Sequence, residues 1–234
     1  MSGDRTRIKI CGITRVADGV AAAAAGADAI GVIFWRGTPR AVGLEQARAI
    51  VAALPPFVTA VGLFVDPDEA EVRAALAAVP LDMLQFHGSE PAALCRSFGR
   101  RYLKAVAVKD GVDLLEYAAR YDDAAGLVFD AYREGDLPGG TGHAFEWKRL
   151  ADVRSALRTP VVLSGGLDAD KVGRAIRAAR PWAVDVSSGV EERGADGKPR
   201  RGSKDHARIV AFVQAVRNEV ANADGGSTER LRPA

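Results

Sequence analysis

Cys11 closes the first apolar run of the chain, Ile8-Lys9-Ile10-Cys11, immediately before the turn residue Gly12. A thiol in a β-type run is most often a small buried hydrophobe. The end of a strand beside a turn is, however, where parallel α/β folds place their chemistry, so the decision rests on whether other reactive groups share that edge. Asp130 ends a second run, Gly126-Leu127-Val128-Phe129-Asp130. A carboxylate there is a candidate acid or base, with a helix cap or a structural ion pair as the bland alternative. Gln85 and His87 alternate at the end of Leu84-Gln85-Phe86-His87-Gly88, which aims both to one side of a strand; a satisfied core histidine is the competing reading of His87. Arg40, in Thr38-Pro39-Arg40, could grip a carboxylate through two parallel N–H donors or stand as a solvated surface arginine.

Two further runs point to an anion. Ser164-Gly165-Gly166 ends one strand, and Asp185-Val186-Ser187-Ser188-Gly189 ends the next. Small residues with exposed backbone N–H groups then converge where barrels often bind phosphate. Either Gly-Gly or Ser-Ser-Gly alone would be only a turn signal; the pairing is what carries the inference. Asp185 would repel a phosphate, so a sugar hydroxyl is its better partner.

These groups need a scaffold that brings strand ends together. Short β-branched runs at 7–13, 29–34, 59–65, 83–87, 102–108, 126–130, 160–165 and 183–187 alternate with helical patterns at 16–25, 44–53, 68–78, 91–98, 114–119, 145–157, 169–179 and 204–216. That rhythm predicts parallel β/α units. Eight units in this length suit a single closed (β/α)8 TIM barrel, which has no sheet edges to protect. The expected catalytic barrel spans 1–220, and the polar segment 221–234 is expected to be a frayed or disordered tail. Two segments, 131–144 with Gly139-Gly140-Thr141-Gly142 and 191–203, read as long loops on the C-terminal rim, where long loops are more often functional than accidental.

Composition narrows the class. The chain has 234 residues, is 48% hydrophobic and carries a net charge of +2, which suits one globular domain with a large core. Neither charge sign is gathered into a block, so nucleic acid is not an expected partner, while a small anionic molecule is. Cys11 and Cys95 lack metal or disulfide spacing; no metal site is expected and a reducing cytoplasm is the natural home. The polar start and the lack of any long apolar stretch predict neither export nor membrane insertion.

The chain resembles the phosphoribosylanthranilate isomerase family of tryptophan biosynthesis. The matching pieces are Lys9-Ile10-Cys11-Gly12, Thr38-Pro39-Arg40, Gly62-Leu63-Phe64-Val65, Leu84-Gln85-Phe86-His87-Gly88, Phe129-Asp130, Gly139-Gly140-Thr141-Gly142, Gly165-Gly166-Leu167, Asp185-Val186-Ser187-Ser188-Gly189-Val190-Glu191 and Lys204-Asp205-His206, in the family's order. The resemblance implies a cofactor-free Amadori rearrangement of N-(5-phosphoribosyl)anthranilate in a (β/α)8 barrel. It implies Cys11 as general base and Asp130 as general acid, with Arg40 on the anthranilate carboxylate. Gly165, Gly166, Ser187, Ser188 and Gly189 would cradle the phosphate, and Gln85, His87 and Asp185 would line the sugar and aromatic pocket. The expected partner is the phosphorylated substrate alone, to a monomer or homodimer. For the mechanism the thiol, at about 8.5 when free, must be lowered and the aspartate, at about 3.9, raised.

Two rivals are set against this. A histidine-pathway or dual-specificity aminoaldose isomerase shares the reaction and the phosphate site, but those relatives place an aspartate where Cys11 stands. A non-catalytic phosphosugar-binding barrel would keep the glycine elements and need neither Cys11 nor Asp130.

Overall fold

The computed structural model describes residues 5–107, 113–130, 147, 150–152 and 154–228. Eight parallel strands close into a barrel in sequence order, β1 Arg7–Cys11, β2 Ala29–Ile33, β3 Thr59–Phe64, β4 Met83–Phe86, β5 Tyr102–Ala107, β6 Gly126–Asp130, β7 Val161–Ser164 and β8 Ala183–Val186, with β8 pairing back onto β1. Helices α1 Val16–Ala25, α2 Leu44–Ala52, α3 Glu69–Ala78, α4 Ala92–Arg96, α5 Leu114–Arg120, α6 Ala169–Ala179 and α7 His206–Thr228 follow their strands. The expected helix at 145–157 lies mostly outside the described residues, of which 147, 150–152 and 154 are helical.

Parity along the strands sorts the side chains. Even-numbered Ile8, Ile10, Ile30, Val32, Phe64, Leu84 and Phe86 face out and join the large core beneath the helices, as do odd-numbered Leu127, Phe129, Val161 and Leu163. The opposite parity faces the barrel axis, where Leu103, Ala105, Val128, Val162 and Ala183 fill the N-terminal half. Cys11, Ile33 and Leu63 form a separate apolar group. A side-chain period of two makes this division automatic once the strand register is fixed. The polar residues of inward parity, Lys9, Gln85, Asp130 and Asp185, are therefore carried to the axis or mouth by the alternation that packs the core.

Local chemistry sets the boundaries. The side chains of Asp68, Asp113 and Asp168 accept from backbone N–H groups of the first helical turns of α3, α5 and α6, satisfying donors that no helical carbonyl can reach. Asp28 and Asp82 accept from the backbone N–H groups of Ile8 and Ala60 at 2.9 and 2.8 Å, tying β1 and β3 to the turns before neighbouring strands. The last helix packs on α6 and α1, closing the outer ring.

Two segments differ from the sequence expectation. Residues 191–203 are not an open loop: β9 Glu191–Arg193 and β10 Pro199–Lys204 form an antiparallel hairpin. Helix α7 also continues to Thr228, so helical backbone runs into the segment read as a tail. The Gly139–Gly142 stretch lies outside the described residues. No helix among the described residues is long and apolar enough to cross a membrane.

Candidate active site

Strand order places the site. β6, β7, β8 and β1 are consecutive neighbours in the closed barrel, so Asp130, the Gly165-Gly166 turn, the Ser187–Gly189 turn and Cys11 follow one another around a single arc of the C-terminal rim.

Cys11 is 5% exposed and pairs in register with Gly31 on β2. A Cβ at Gly31 would stand 2.9 Å from the Cys11 sulfur and 3.2 Å from Lys9 Nζ, so the absent side chain makes room for both. Lys9 pairs in register with Asp185, and its Nζ donates to Asp185 Oδ2 at 2.8 Å in a nearly fully buried ion pair. Burial pushes the Cys11 thiol up, and the Lys9 ammonium pulls it back only in part. For Lys9 burial works downward, but the Asp185 carboxylate and Cys11 outweigh it, and the ammonium is held above its ordinary value. Asp185 Oδ1 is buried and accepts no hydrogen bond among the described residues.

Across the mouth, His87 Nε2 stands 3.3 Å from Asp130 Oδ2. The other ring nitrogen lies 3.1 Å from Gln85 Nε2. With that amide as donor, Nδ1 is an acceptor and the neutral imidazole carries its proton on Nε2, toward Asp130. The loop carrying His87 is braced from below. The buried pair Lys104 and Glu90 meets at 2.9 Å, Lys104 also donates to the Gly88 carbonyl at 2.6 Å, and Glu90 accepts from the backbone N–H groups of Asp66 and Gly88.

The two glycine-rich turns after β7 and β8 lie against each other. Gly165 and Gly166 hold φ values of +89° and +62°, a left-handed pair that other residues resist. Ser188–Val190 forms a single 3-10 turn after β8. A Cβ on Gly189 would overlap the Leu167 carbonyl oxygen, so glycine is what lets the two turns touch. Lys171, on the first turn of α6, donates to Asp168 Oδ2 at 2.7 Å and reaches the Gly166 carbonyl at 3.5 Å.

Arg40 is not a solvated surface residue. Its Nε and Nη2 donate to the two oxygens of buried Glu191 at 2.6 and 2.8 Å, which leaves Nη1 without a hydrogen-bond partner among the described residues. Glu191 also accepts from Gly202 N at 3.0 Å. Burial would raise this carboxyl, but Arg40, Lys204 and the Gly202 N–H hold it below the usual range. Lys204 is fully buried and donates to the Ser187 carbonyl at 2.9 Å, with Glu191 3.4 Å away; burial brings it down to about 8. Gly12, at φ +71°, fits between Arg40 and Ser187, where a Cβ would lie 2.7 Å from Arg40 Cδ.

The structure thus gathers Cys11, Asp185, Gly165, Gly166, Ser187, Ser188, Gly189 and Arg40 on one side and Gln85, His87 and Asp130 on the other. Sequence reasoning assigned nothing to Lys9, Glu191, Lys204 or Lys171. The inward parity of Lys9 with Cys11 was the available signal for the first. Glu191 and Lys204 depend on the β9–β10 hairpin, where Glu191 meets Lys204 13 positions on and Arg40 151 positions away; Lys171 is placed by the first turn of α6, beside Asp168.

Comparison with known proteins agrees with this geometry. The family model described as N-(5'phosphoribosyl)anthranilate (PRA) isomerase matches residues 8–215. N-(5'-phosphoribosyl)anthranilate isomerase of Pseudomonas aeruginosa (strain LESB58) is 56% identical over 212 residues, 91% of this chain and 95% of the relative. The enzyme of that name from Alcanivorax borkumensis is 53% identical over 211 residues, 90% of this chain and 95% of its own length. Among solved structures, phosphoribosyl anthranilate isomerase from Thermotoga maritima superposes with a TM-score of 0.80 at 37% identity, covering 91% of this chain and 99% of the other. A phosphoribosyl anthranilate isomerase in complex with reduced 1-(o-carboxyphenylamino)-1-deoxyribulose 5-phosphate gives a TM-score of 0.77 at 35% identity, with coverage of 91% and 99%. A sequence match over nearly the whole barrel and a matching fold leave one assignment: this chain belongs to the N-(5'-phosphoribosyl)anthranilate isomerase family.

Proposed function

We propose that this isomerase converts N-(5'-phosphoribosyl)anthranilate to 1-(o-carboxyphenylamino)-1-deoxyribulose 5-phosphate with Asp130 as general acid and Cys11 as general base. The observation that carries the assignment is the uninterrupted arc from Asp130 through the two phosphate turns to Cys11. A substrate anchored by its phosphate at Gly165, Gly166, Ser187, Ser188 and Gly189 has its sugar carbons between the two groups. Anchoring at a remote charge is what turns proton transfer into a positioned event.

The chemistry then balances with side chains alone. Protonated Asp130 gives its proton to the ring oxygen as the C1–O bond breaks and the nitrogen lone pair forms C1=N. The Cys11 thiolate removes the C2 proton, and that electron pair becomes C1=C2 while the C1=N electrons return to nitrogen. Loss of the enol proton to the Asp130 carboxylate and return of the thiol proton to C1 give the ketose and restore both groups. His87, with its proton toward Asp130, is placed to exchange protons with the acid. The unpartnered Oδ1 of Asp185 suits a sugar hydroxyl, and Arg40 Nη1 suits the anthranilate carboxylate. The presence of both Cys11 and Asp130 at strand ends on this rim is why the cofactor-free isomerase is favoured over a binding barrel.

We further propose a cytoplasmic enzyme, monomeric or homodimeric, which velocity sedimentation of the purified chain resolves. The reaction is tested by following loss of anthranilate-adduct fluorescence on adding purified protein, with the histidine-pathway aminoaldose run beside it. Turnover of the anthranilate substrate alone is expected; turnover of the histidine-pathway substrate at a comparable rate would transfer the reading to the dual-specificity rival.

A further inference from the structure

We infer that Lys9, one inward position below Cys11 on β1, is the positioning cation that makes Cys11 a usable base, and that Asp185 sets the strength of its effect. This rests on the reading of Cys11 as the base and adds the residue that ionises it.

Burial alone would disqualify the thiol. At 5% exposure, in contact with Ile33 and Leu63, a thiolate loses most of its hydration, and an apolar surrounding favours the neutral form. Something must repay that loss. Lys9 and Cys11 share inward parity on one strand, and both reach the space left by Gly31, the sulfur 2.9 Å and the ammonium nitrogen 3.2 Å from the same point. The Lys9 ammonium favours the Cys11 thiolate, and the thiolate in turn favours the ammonium. The axis beneath them is filled by Leu103, Ala105, Val128, Val162 and Ala183, an environment in which a lysine is costly. A buried ion pair is weak as a device for stability, since apolar residues of similar volume usually serve as well. A charged pair kept directly under a buried thiol is better explained by what it does to the thiol.

Asp185 has two opposed effects. It keeps Lys9 protonated, at 2.8 Å, and its negative charge also disfavours a second anion at Cys11. The remaining charged groups facing the thiol come from other elements: Lys204 on β10, which favours the thiolate, and Arg40, which lies against Gly12 and is largely neutralised by Glu191. Gly31 brings no charge from β2. The proton lost by Cys11 goes to solvent before substrate seals the mouth, so no co-reactant is required.

Opposite substitutions should therefore move the thiol in opposite directions. The thiolate ultraviolet absorbance of the purified enzyme is followed against pH for the parent, Lys9→Met, Lys9→Arg and Asp185→Asn. Each is corrected by the same protein carrying Cys11→Ser, which cancels Cys95, a buried thiol pushed up to about 12. In Lys9→Met the midpoint should rise by about one unit or more, an approximately tenfold smaller thiolate fraction near neutrality, and the acidic limb of kcat/KM should move with it. Lys9→Arg should restore most of the shift, and Asp185→Asn should lower the midpoint. An unchanged or lower midpoint in Lys9→Met, or Asp185→Asn moving upward, overturns the inference. If Lys9→Met does not fold, Lys9→Gln takes its place under the same criterion. The thiol titration does not depend on turnover, so loss of the base assignment through an active Cys11→Ser enzyme would be seen separately.

Discussion

Arg40 and Glu191 face each other in a two-bond fork, Nε to Oε1 at 2.6 Å and Nη2 to Oε2 at 2.8 Å, across 151 positions of sequence. The carboxylate is fully buried and holds the guanidinium at the rim with one nitrogen left over. Arg40→Ala should weaken substrate binding more than turnover, because a carboxylate contact is present in both ground and transition states. Glu191→Gln keeps the shape but loses the charge-assisted fork, worth about 1.5–3 kcal/mol. It should raise KM in the same direction through a misaimed Arg40. Steady-state kinetics showing unchanged KM and collapsed kcat in either variant would remove Arg40 from substrate recognition.

Lys204 gives a stability prediction with a definite sign. Its folded-state pKa lies at about 8, below the ordinary 10.5. Between those values the unfolded chain binds the proton and the folded one does not, so the contribution of Lys204 to stability rises with pH across that window and is at its least favourable below it. The span amounts to on the order of 3 kcal/mol as an upper figure for so buried a group. Chemical denaturation of the parent and Lys204→Met at pH 7.5 and pH 10 checks it. The stability of the parent relative to the variant should be greater at the higher pH, and a constant difference contradicts the assignment.

The phosphate turns make a third test. Replacing Gly166 or Ser188 by Asp sets a fixed anion where backbone N–H groups should receive another, and like charges in contact repel. Inorganic phosphate should raise the melting temperature of the parent and fail to do so for either variant. Equal protection of parent and variants would mean that the phosphate binds elsewhere.

His87 is expected to act through Asp130. His87→Ala removes the ring 3.3 Å from the carboxylate and should lower kcat, by about 10-fold or more as an order of magnitude for a lost proton-transfer partner. His87→Gln, which fills much of the same space without a ring nitrogen to pass a proton, should not restore it. Restoration of kcat by the glutamine would mean that His87 serves pocket shape alone.

Much of this was legible in the sequence, and the reason is periodicity. All eight strands fall inside the runs that β-branched residues mark, and Gln85, His87, Asp130 and Asp185 emerge on the inner parity because alternation in a closed barrel permits only two directions. Gly165 and Gly166 could be read as a tight turn after a strand because few other residue types tolerate that backbone readily. The partner of Arg40 could not be read at all. Glu191 sits in what looked like the start of a long loop, and only the pairing of β9 with β10 buries it and aims Lys204 and the Gly202 N–H at it. Lys9 was hidden for a different reason: a lysine in an apolar strand is ordinarily taken for an exposed end, and its burial depends on finding Asp185 opposite it on β8.

The central claim is that Cys11 and Asp130 exchange the protons of the rearrangement, and turnover per folded molecule in Cys11→Ser and Asp130→Asn tests it most directly. Serine nearly preserves volume but is hardly ionised at neutral pH, and asparagine preserves shape but cannot deliver a proton. Each variant should keep a melting temperature close to that of the parent while turnover of N-(5'-phosphoribosyl)anthranilate falls by a factor of about 10² to 10⁴. Folded Cys11→Ser enzyme turning over at the parent rate would return Cys11 to the core and contradict the account.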